Sequence, residues 1–168
     1  MQALRDLVVD IPDFPKPGIV FRDISPLLRQ RFHETVTAVD ALFSAREWQA
    51  VDVVAGIESR GFILAAALAE RHRKGFVPIR KKGKLPPPVV DVAYDLEYGT
   101  GVLEMQMGSG RLLLVDDVLA TGGTLAASVV LARQAGYEVC GMGVLLDLGF
   151  APGFSCGGFA ARSVLEYG

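Results

Sequence analysis

Leu112-Leu113-Leu114-Val115-Asp116-Asp117-Val118-Leu119-Ala120-Thr121-Gly122-Gly123-Thr124 is the stretch on which the fold turns. An apolar run of strand length stops at two carboxylates, two glycines and a threonine follow, and Leu125 to Ala135 has helical composition and spacing. The order this predicts is strand, loop, helix. At the carboxyl end of a parallel strand, such a loop opens into the crevice where α/β proteins bind ligands. Gly122 and Gly123 allow backbone angles closed to other residues, so successive N–H groups can converge on one point at the positive end of the helix. That arrangement cradles a phosphate. Asp116 and Asp117 would repel the phosphate, so they are expected to face hydrogen-bond donors such as the hydroxyls of a ribose. A sugar phosphate satisfies both halves. A nucleotide-hydrolase P-loop is the other glycine-rich candidate, but Gly-x-x-x-x-Gly-Lys-Ser/Thr is absent, and Phe62 stands where Gly56 to Gly61 would need the lysine.

The whole chain sets wider bounds. Its 168 residues, 51% of them hydrophobic, suit one domain with a buried core. With 17 basic against 19 acidic residues and a net charge of -2, wholesale nucleic-acid binding is not expected. No apolar stretch reaches membrane-spanning length and Met1 to Asp10 has no signal-peptide pattern, so a cytoplasmic protein is expected. Cys140 and Cys156 match no metal or redox spacing and read as reduced packing residues; His72, in a run of cations, suits a helix C-terminus.

Outward from the central stretch, residues 1 to 9 read as a short helix with Leu4, Leu7 and Val8 on one face. The three prolines between Ile11 and Asp23 forbid a helix and favour an extended segment, in which Ile19-Val20-Phe21 sets apolar groups on both sides of the backbone. Composition alone reads this equally as a surface loop with buried anchors. Ser25-Pro26 starts a short helical turn, and Val36, Val39 and Phe43 predict a longer helix over about 33–48. Val51 to Gly56 reads as a buried parallel strand and Phe62 to Arg73 as the helix after it. Between them Ile57-Glu58-Ser59-Arg60-Gly61 forms a second loop at a strand's carboxyl end, where Arg60 can meet a charged oxygen or pair with Glu58. Phe76 to Arg80 is a short strand running into the cations of Lys81-Lys82-Gly83-Lys84. Val102 to Met107 reads as an edge strand, Gly108-Ser109-Gly110 as the turn into the central strand, Glu138 to Leu146 as the next parallel strand, and Ala161 to Glu166 as a last one.

These stretches resemble, in one register over residues 11 to 148, the motifs of type I phosphoribosyltransferases and in particular the adenine phosphoribosyltransferases. Leu112 to Thr124 is similar to the phosphoribosyl-pyrophosphate signature. Phe14-Pro15-Lys16-Pro17-Gly18-Ile19-Val20-Phe21-Arg22-Asp23-Ile24-Ser25-Pro26-Leu27 resembles the base-recognition segment, Gly56-Ile57-Glu58-Ser59-Arg60-Gly61-Phe62 the pyrophosphate loop, and Arg80-Lys81-Lys82-Gly83-Lys84-Leu85-Pro86 the cationic run that meets the pyrophosphate, its arginine often reaching across a dimer interface. Tyr94-Asp95-Leu96-Glu97-Tyr98-Gly99 resembles the mobile catalytic loop, with aspartate at 95 where the family usually has serine. The turn at Gly108 to Gly110 is shorter than the family's connection.

The resemblance implies a type I phosphoribosyltransferase fold: a central parallel sheet flanked by helices, a small N-terminal hood at about 11–28 and a mobile loop at about 87–100, all in one domain. It implies that AMP and pyrophosphate are formed from adenine and phosphoribosyl pyrophosphate, in a homodimer. It places Glu97 in catalysis and Tyr98 on substrate, and sets the main chain of Val20 and Arg22, with Phe21, against the base. Asp116 and Asp117 fall on the ribose, and Ala120, Thr121, Gly122, Gly123 and Thr124 on the 5′-phosphate. Glu58, Arg60, Arg80 and Lys84 fall on the pyrophosphate; Lys81 and Lys82 are not carried over. Magnesium is expected through substrate oxygens and water rather than a protein ligand set. The rival readings are transfer to another purine such as xanthine, which the proline-rich segment opposes, and a sensing domain that binds phosphoribosyl pyrophosphate without chemistry.

Overall fold

The structure, a computed structural model, describes residues 1–96 and 99–167, which fall into two compact units, Met1–Ala38 and Val39–Gly168.

In the first unit the helix expected over residues 1 to 9 is a single turn, α1 (Gln2–Arg5), and Val9 already opens a strand. This strand, β1 (Val9–Pro12), pairs antiparallel with β2 (Val20–Asp23), from Val9 opposite Asp23 to Pro12 opposite Val20. The proline-rich segment is therefore a hairpin, with Pro12 at a strand end where a missing N–H costs little. Phe14 N–H donates to the Ile19 carbonyl at 3.2 Å, and the Phe14 and Phe21 rings meet edge to face at 5.2 Å. Arg22 and Asp10, opposite each other, form an ion pair. The next helix, α2 (Ser25–Asp40), begins where Asp23 accepts the Ser25 N–H at 2.9 Å and its hydroxyl at 2.6 Å. Arg31 leaves helical angles (φ -139°, ψ 40°), so α2 is two helical pieces joined at a kink, its final two residues belonging to the second unit.

The second unit corrects the helix expected to run to Trp48. Ser44 and Glu47 form a capping box that starts a separate helix, α3 (Ala45–Ala50): each accepts the other's backbone N–H, at 2.8 Å for Glu47 and 3.3 Å for Ser44. The elements β3 (Val53–Ile57), α4 (Gly61–Arg71), β4 (Gly75–Lys81), β5 (Val89–Leu96), β6 (Gly99–Gln106), β7 (Gly110–Leu119), α5 (Gly123–Gln134), β8 (Tyr137–Asp147), β9 (Ser155–Cys156) and β10 (Phe159–Glu166) follow. Among the described residues the strands form one sheet in the order β5-β6-β4-β3-β7-β8-β10-β9. Strands β4, β3, β7, β8 and β10 run parallel, as expected, and the β5–β6 hairpin extends the sheet antiparallel beside β4. The segment expected as an edge strand, Val102 to Met107, is internal, because β5 covers it.

Residues Leu112 to Val115 of β7 are at most 1% exposed, and Leu112 and Leu114 sit in the core with Ala55, Met142 and Val144. A strand covered on both faces has to be apolar throughout, which is why this run does not alternate. The short turn before it closes because Gly108 donates its N–H to the Ala135 carbonyl at 2.9 Å, where a side chain on Gly108 would overlap the Tyr137 ring. At the carboxyl end of α4, His72 sits as expected at the helix terminus. Asp40 takes its Nε2 at 2.6 Å and Arg71 Nε at 3.1 Å, and the imidazole lies parallel to Trp48 with ring centres 3.8 Å apart.

Candidate functional site

Strands β4, β3 and β7 are parallel neighbours, so their carboxyl ends lie along one edge of the sheet and whatever follows each is delivered to the same place. Lys81 ends β4, Glu58 to Arg60 follow β3, and Ala120 to Gly122 follow β7. These residues, with Asp116, Asp117, Gly123 and Thr124, line a cleft of about 330 Å³, to which β5 adds Tyr94 and β6 adds Leu103.

The acids were expected past the strand's end; they lie within it, since β7 continues to Leu119, and they are only 7% and 5% exposed. Burial and the neighbouring Asp117 charge push the Asp116 carboxyl well above the usual range, against a 2.9 Å bond in which the Asp117 N–H donates to Asp116 Oδ1. Burial likewise raises Asp117, which the Arg60 guanidinium pulls back, its Nη2 lying 2.5 Å from Asp117 Oδ2. The guanidinium is thus the charge partner of Asp117 Oδ2.

Thr121 and Gly122 lead directly into α5. Gly122 holds φ +86°, and a side chain there would strike the Phe154 ring 2.2 Å away. It is the N-cap of a 12-residue helix and gives no side-chain cap, so the first N–H groups of α5 have no partner within the helix and look onto the cleft with the positive end of its dipole. This is the nest expected from the paired glycines.

Glu58 and Arg60 do not pair with each other. Glu58 Oε2 accepts Arg80 Nε at 3.2 Å and the Lys81 N–H at 3.0 Å; burial raises its carboxyl, but these donors and the charges of Arg80 and Lys81 outweigh that and hold it below the usual range. Arg60 turns to Asp117 instead. Nine residues singled out from the sequence therefore meet in one cleft: Glu58, Arg60, Asp116, Asp117 and the five from Ala120 to Thr124. Arg80 and Lys84 do not line it. Arg80 Nη1 donates to the Lys84 carbonyl at 3.2 Å, which ties the two ends of the cationic turn together. Lys81, set aside in the sequence reading, does line the cleft, as do Tyr94 and Leu103. The run of cations was the only signal for Lys81, and β4's register was needed to choose among them. Val20, Phe21 and Arg22 lie on β2 in the first unit. Glu97 and Tyr98 lie outside the described residues.

Residues 35–149 match the model of the phosphoribosyl transferase domain family. Over 158 residues the chain is 52% identical to the adenine phosphoribosyltransferase of Hydrogenovibrio crunogenus, with 94% of this chain and 92% of the relative covered. The chain belongs to the adenine phosphoribosyltransferase family. Among solved structures of this adenine phosphoribosyltransferase family, that from Rhodothermus marinus superposes with a TM-score of 0.84 at 39% identity over 98% of this chain and 97% of the other. The Saccharomyces cerevisiae enzyme, complexed with an imino-altritol bisphosphate and adenine, does so with a TM-score of 0.82 at 33% identity over 89% of each chain. The sheet and cleft are thus those of the type I phosphoribosyltransferase fold, and the adenine phosphoribosyltransferases supply the frame in which the cleft is read.

Proposed function

We propose that the chain transfers the phosphoribosyl group of phosphoribosyl pyrophosphate to adenine, releasing AMP and pyrophosphate in purine salvage. The observation that carries this reading is the convergence, in one cleft, of an uncapped helix N-terminus, a buried pair of acids whose carboxyls burial raises, and the cations Arg60 and Lys81. The three parts suit, in turn, the 5′-phosphate, the ribose hydroxyls and the pyrophosphate. The choice of adenine is supported by the relatives and by the complex with adenine.

As pyrophosphate leaves, positive charge builds on the ribose ring, and the residues must hold separating charge in fixed dipoles rather than in water. Ala120 to Thr124 anchor the 5′-phosphate and thereby the sugar. Asp116 and Asp117 accept from the ribose hydroxyls; a donor there relieves the burial that raises both carboxyls. Arg60 and Lys81 draw on the leaving oxygens, and Glu58 holds the start of the cationic turn by accepting Arg80 Nε and the Lys81 N–H. We assign the base to Val20, Phe21 and Arg22. Since Phe14 bonds the Ile19 carbonyl and main-chain groups alternate along a strand, those of Val20 and Arg22 turn away from β1, the orientation in which a strand presents its carbonyls and N–H groups to a purine edge. Glu97 and Tyr98 are proposed to act on the base and substrate, and the protein to work in the cytoplasm as a homodimer.

The family also implies magnesium. Among the described residues no three His, Cys, Asp or Glu side chains converge as a ligand set, so the chain would offer carboxylate oxygens of Asp116 and Asp117 at most, with substrate oxygens and waters completing the shell. That donor chemistry fits the ion, and neutralisation of the leaving group is what it supplies when bound.

The test is turnover with phosphoribosyl pyrophosphate and each purine base, with and without magnesium. Adenine presents an amino donor and an N1 acceptor where hypoxanthine presents a carbonyl and an N1 donor, and main-chain groups cannot exchange the two roles. The expected kcat/KM ratio is about 10⁴ in favour of adenine, requiring magnesium. Comparable efficiencies for the two bases would overturn the adenine assignment.

A further inference from the structure

The cationic part of the connection between β4 and β5, Lys81 to Lys84, is exposed and brings no apolar anchor, so its shape depends on how its backbone is held. The structure shows what holds it. Glu104, on β6, is 3% exposed although it bears a carboxylate. Its Oε2 accepts the Gly83 N–H at 2.9 Å, and its Oε1 accepts those of Lys84 and Leu85, both at 2.6 Å. Three successive N–H groups thus close on one buried carboxylate from a different strand.

The sheet register explains the reach. Glu104 stands opposite Arg80 on β4 and opposite Asp91 on β5, directly under the point where the chain leaves β4. Glu58 accepts the Lys81 N–H at the beginning of the same turn, so two carboxylates grip it from either end. Glu58 thus holds Lys81, the cation that lines the cleft, while Lys82, between the two grips, turns away to Asp91 at 2.5 Å.

We propose that Glu104 is a positioning residue for the transfer reaction: it clasps the backbone of Gly83 to Leu85 and so sets the cationic turn in the shape that receives the pyrophosphate half of the substrate. It touches no substrate itself. The proposal rests on the reading of the cleft as a phosphoribosyl pyrophosphate site. A hydrogen bond to a charged acceptor is about twice as strong as a neutral one, and three on one buried carboxylate fix the Gly83–Leu85 end of the turn relative to the sheet. Burial raises the Glu104 carboxyl and Asp91 opposes its charge, but the N–H groups of Gly83, Leu85 and Lys84 outweigh both and hold it below the usual carboxylate range. The clasp is therefore charged at neutral pH.

The experiment is calorimetric titration of the wild type, Glu104→Gln and Glu104→Ala with magnesium pyrophosphate and, separately, with AMP, beside the KM for each substrate. Pyrophosphate affinity is expected to fall about tenfold or more in Glu104→Ala and less in Glu104→Gln, whose carbonyl oxygen still accepts, while AMP affinity stays within about twofold. The KM for phosphoribosyl pyrophosphate should rise with that for adenine unchanged. Unaltered pyrophosphate affinity in Glu104→Ala overturns the proposal, and so does an equal loss for AMP, which would make the residue a general part of the scaffold. If the variants do not fold, the wild type decides. The amide resonances of Gly83, Lys84 and Leu85 should titrate together below the usual carboxylate range and shift on adding pyrophosphate but not AMP; independent behaviour of the three overturns the clasp. A wild type that binds AMP but no pyrophosphate would instead remove the pyrophosphate site itself.

Discussion

At the scale of single residues the cleft is unusual in holding two adjacent carboxylates, each less than a tenth exposed. Both carboxyls are raised, so over the pH range between the ordinary aspartate value and the raised one the folded chain holds protons that the unfolded chain releases. The contribution of the pair is therefore greatest below the ordinary value and is lost as pH rises through the raised one. Asp116→Asn keeps an oxygen to accept the Asp117 N–H while removing the charge. Its urea midpoint should match the wild type in acid and exceed it increasingly as pH rises, and its turnover should drop by about 10²-fold because the ribose is no longer oriented. A midpoint difference that stays constant with pH would show that the acids are not under this strain.

The elements show how far local chemistry can be read. The β7–loop–α5 unit was legible because its signals are contiguous: the apolar run, the acids, the glycines and the helix follow one another in thirteen residues and the start of the next element. Gly122 shows why the loop depends on that residue type, since both its φ and the Phe154 ring exclude a side chain. Gly122→Ala should accordingly weaken AMP binding by about tenfold or more, the effect of displacing several charge-assisted donors, and calorimetry with AMP would register it; unchanged affinity would take the 5′-phosphate out of this loop. The helix expected across 33–48 was misjudged because apolar spacing survives a break: Phe43 remains buried after the chain has left α2, and the capping signature Ser44-x-x-Glu47 was the stronger signal. The Glu104 clasp could not be read at all. Its partners are 19 to 21 positions away, and only the pairing of β4 with β6 brings them together.

For the molecule as a whole, the arrangement of three neighbouring parallel strands decides more than any one motif. The sequence contained the loops after β3 and β7, but the choice of Lys81 over its neighbours depended on where β4 stops beside them. Because a ligand that binds only the folded chain shifts the equilibrium by mass action, occupancy of the cleft should stabilise the whole fold. AMP at one hundred times its Kd is expected to add about 2.7 kcal/mol, which for a chain of this length raises Tm by roughly 5–10 °C; an AMP-saturated protein melting with the ligand-free one would contradict the site. The stacked pair at the end of α4 bears on how such changes are watched. Trp48 is the only tryptophan in the chain and is 4% exposed, lying flat on an imidazole. Burial of the indole is expected to give a blue-shifted emission, so loss of the fold should redden it. The residue lines no part of the cleft, so its emission should serve as an optical gauge of unfolding that changes little as substrates come and go.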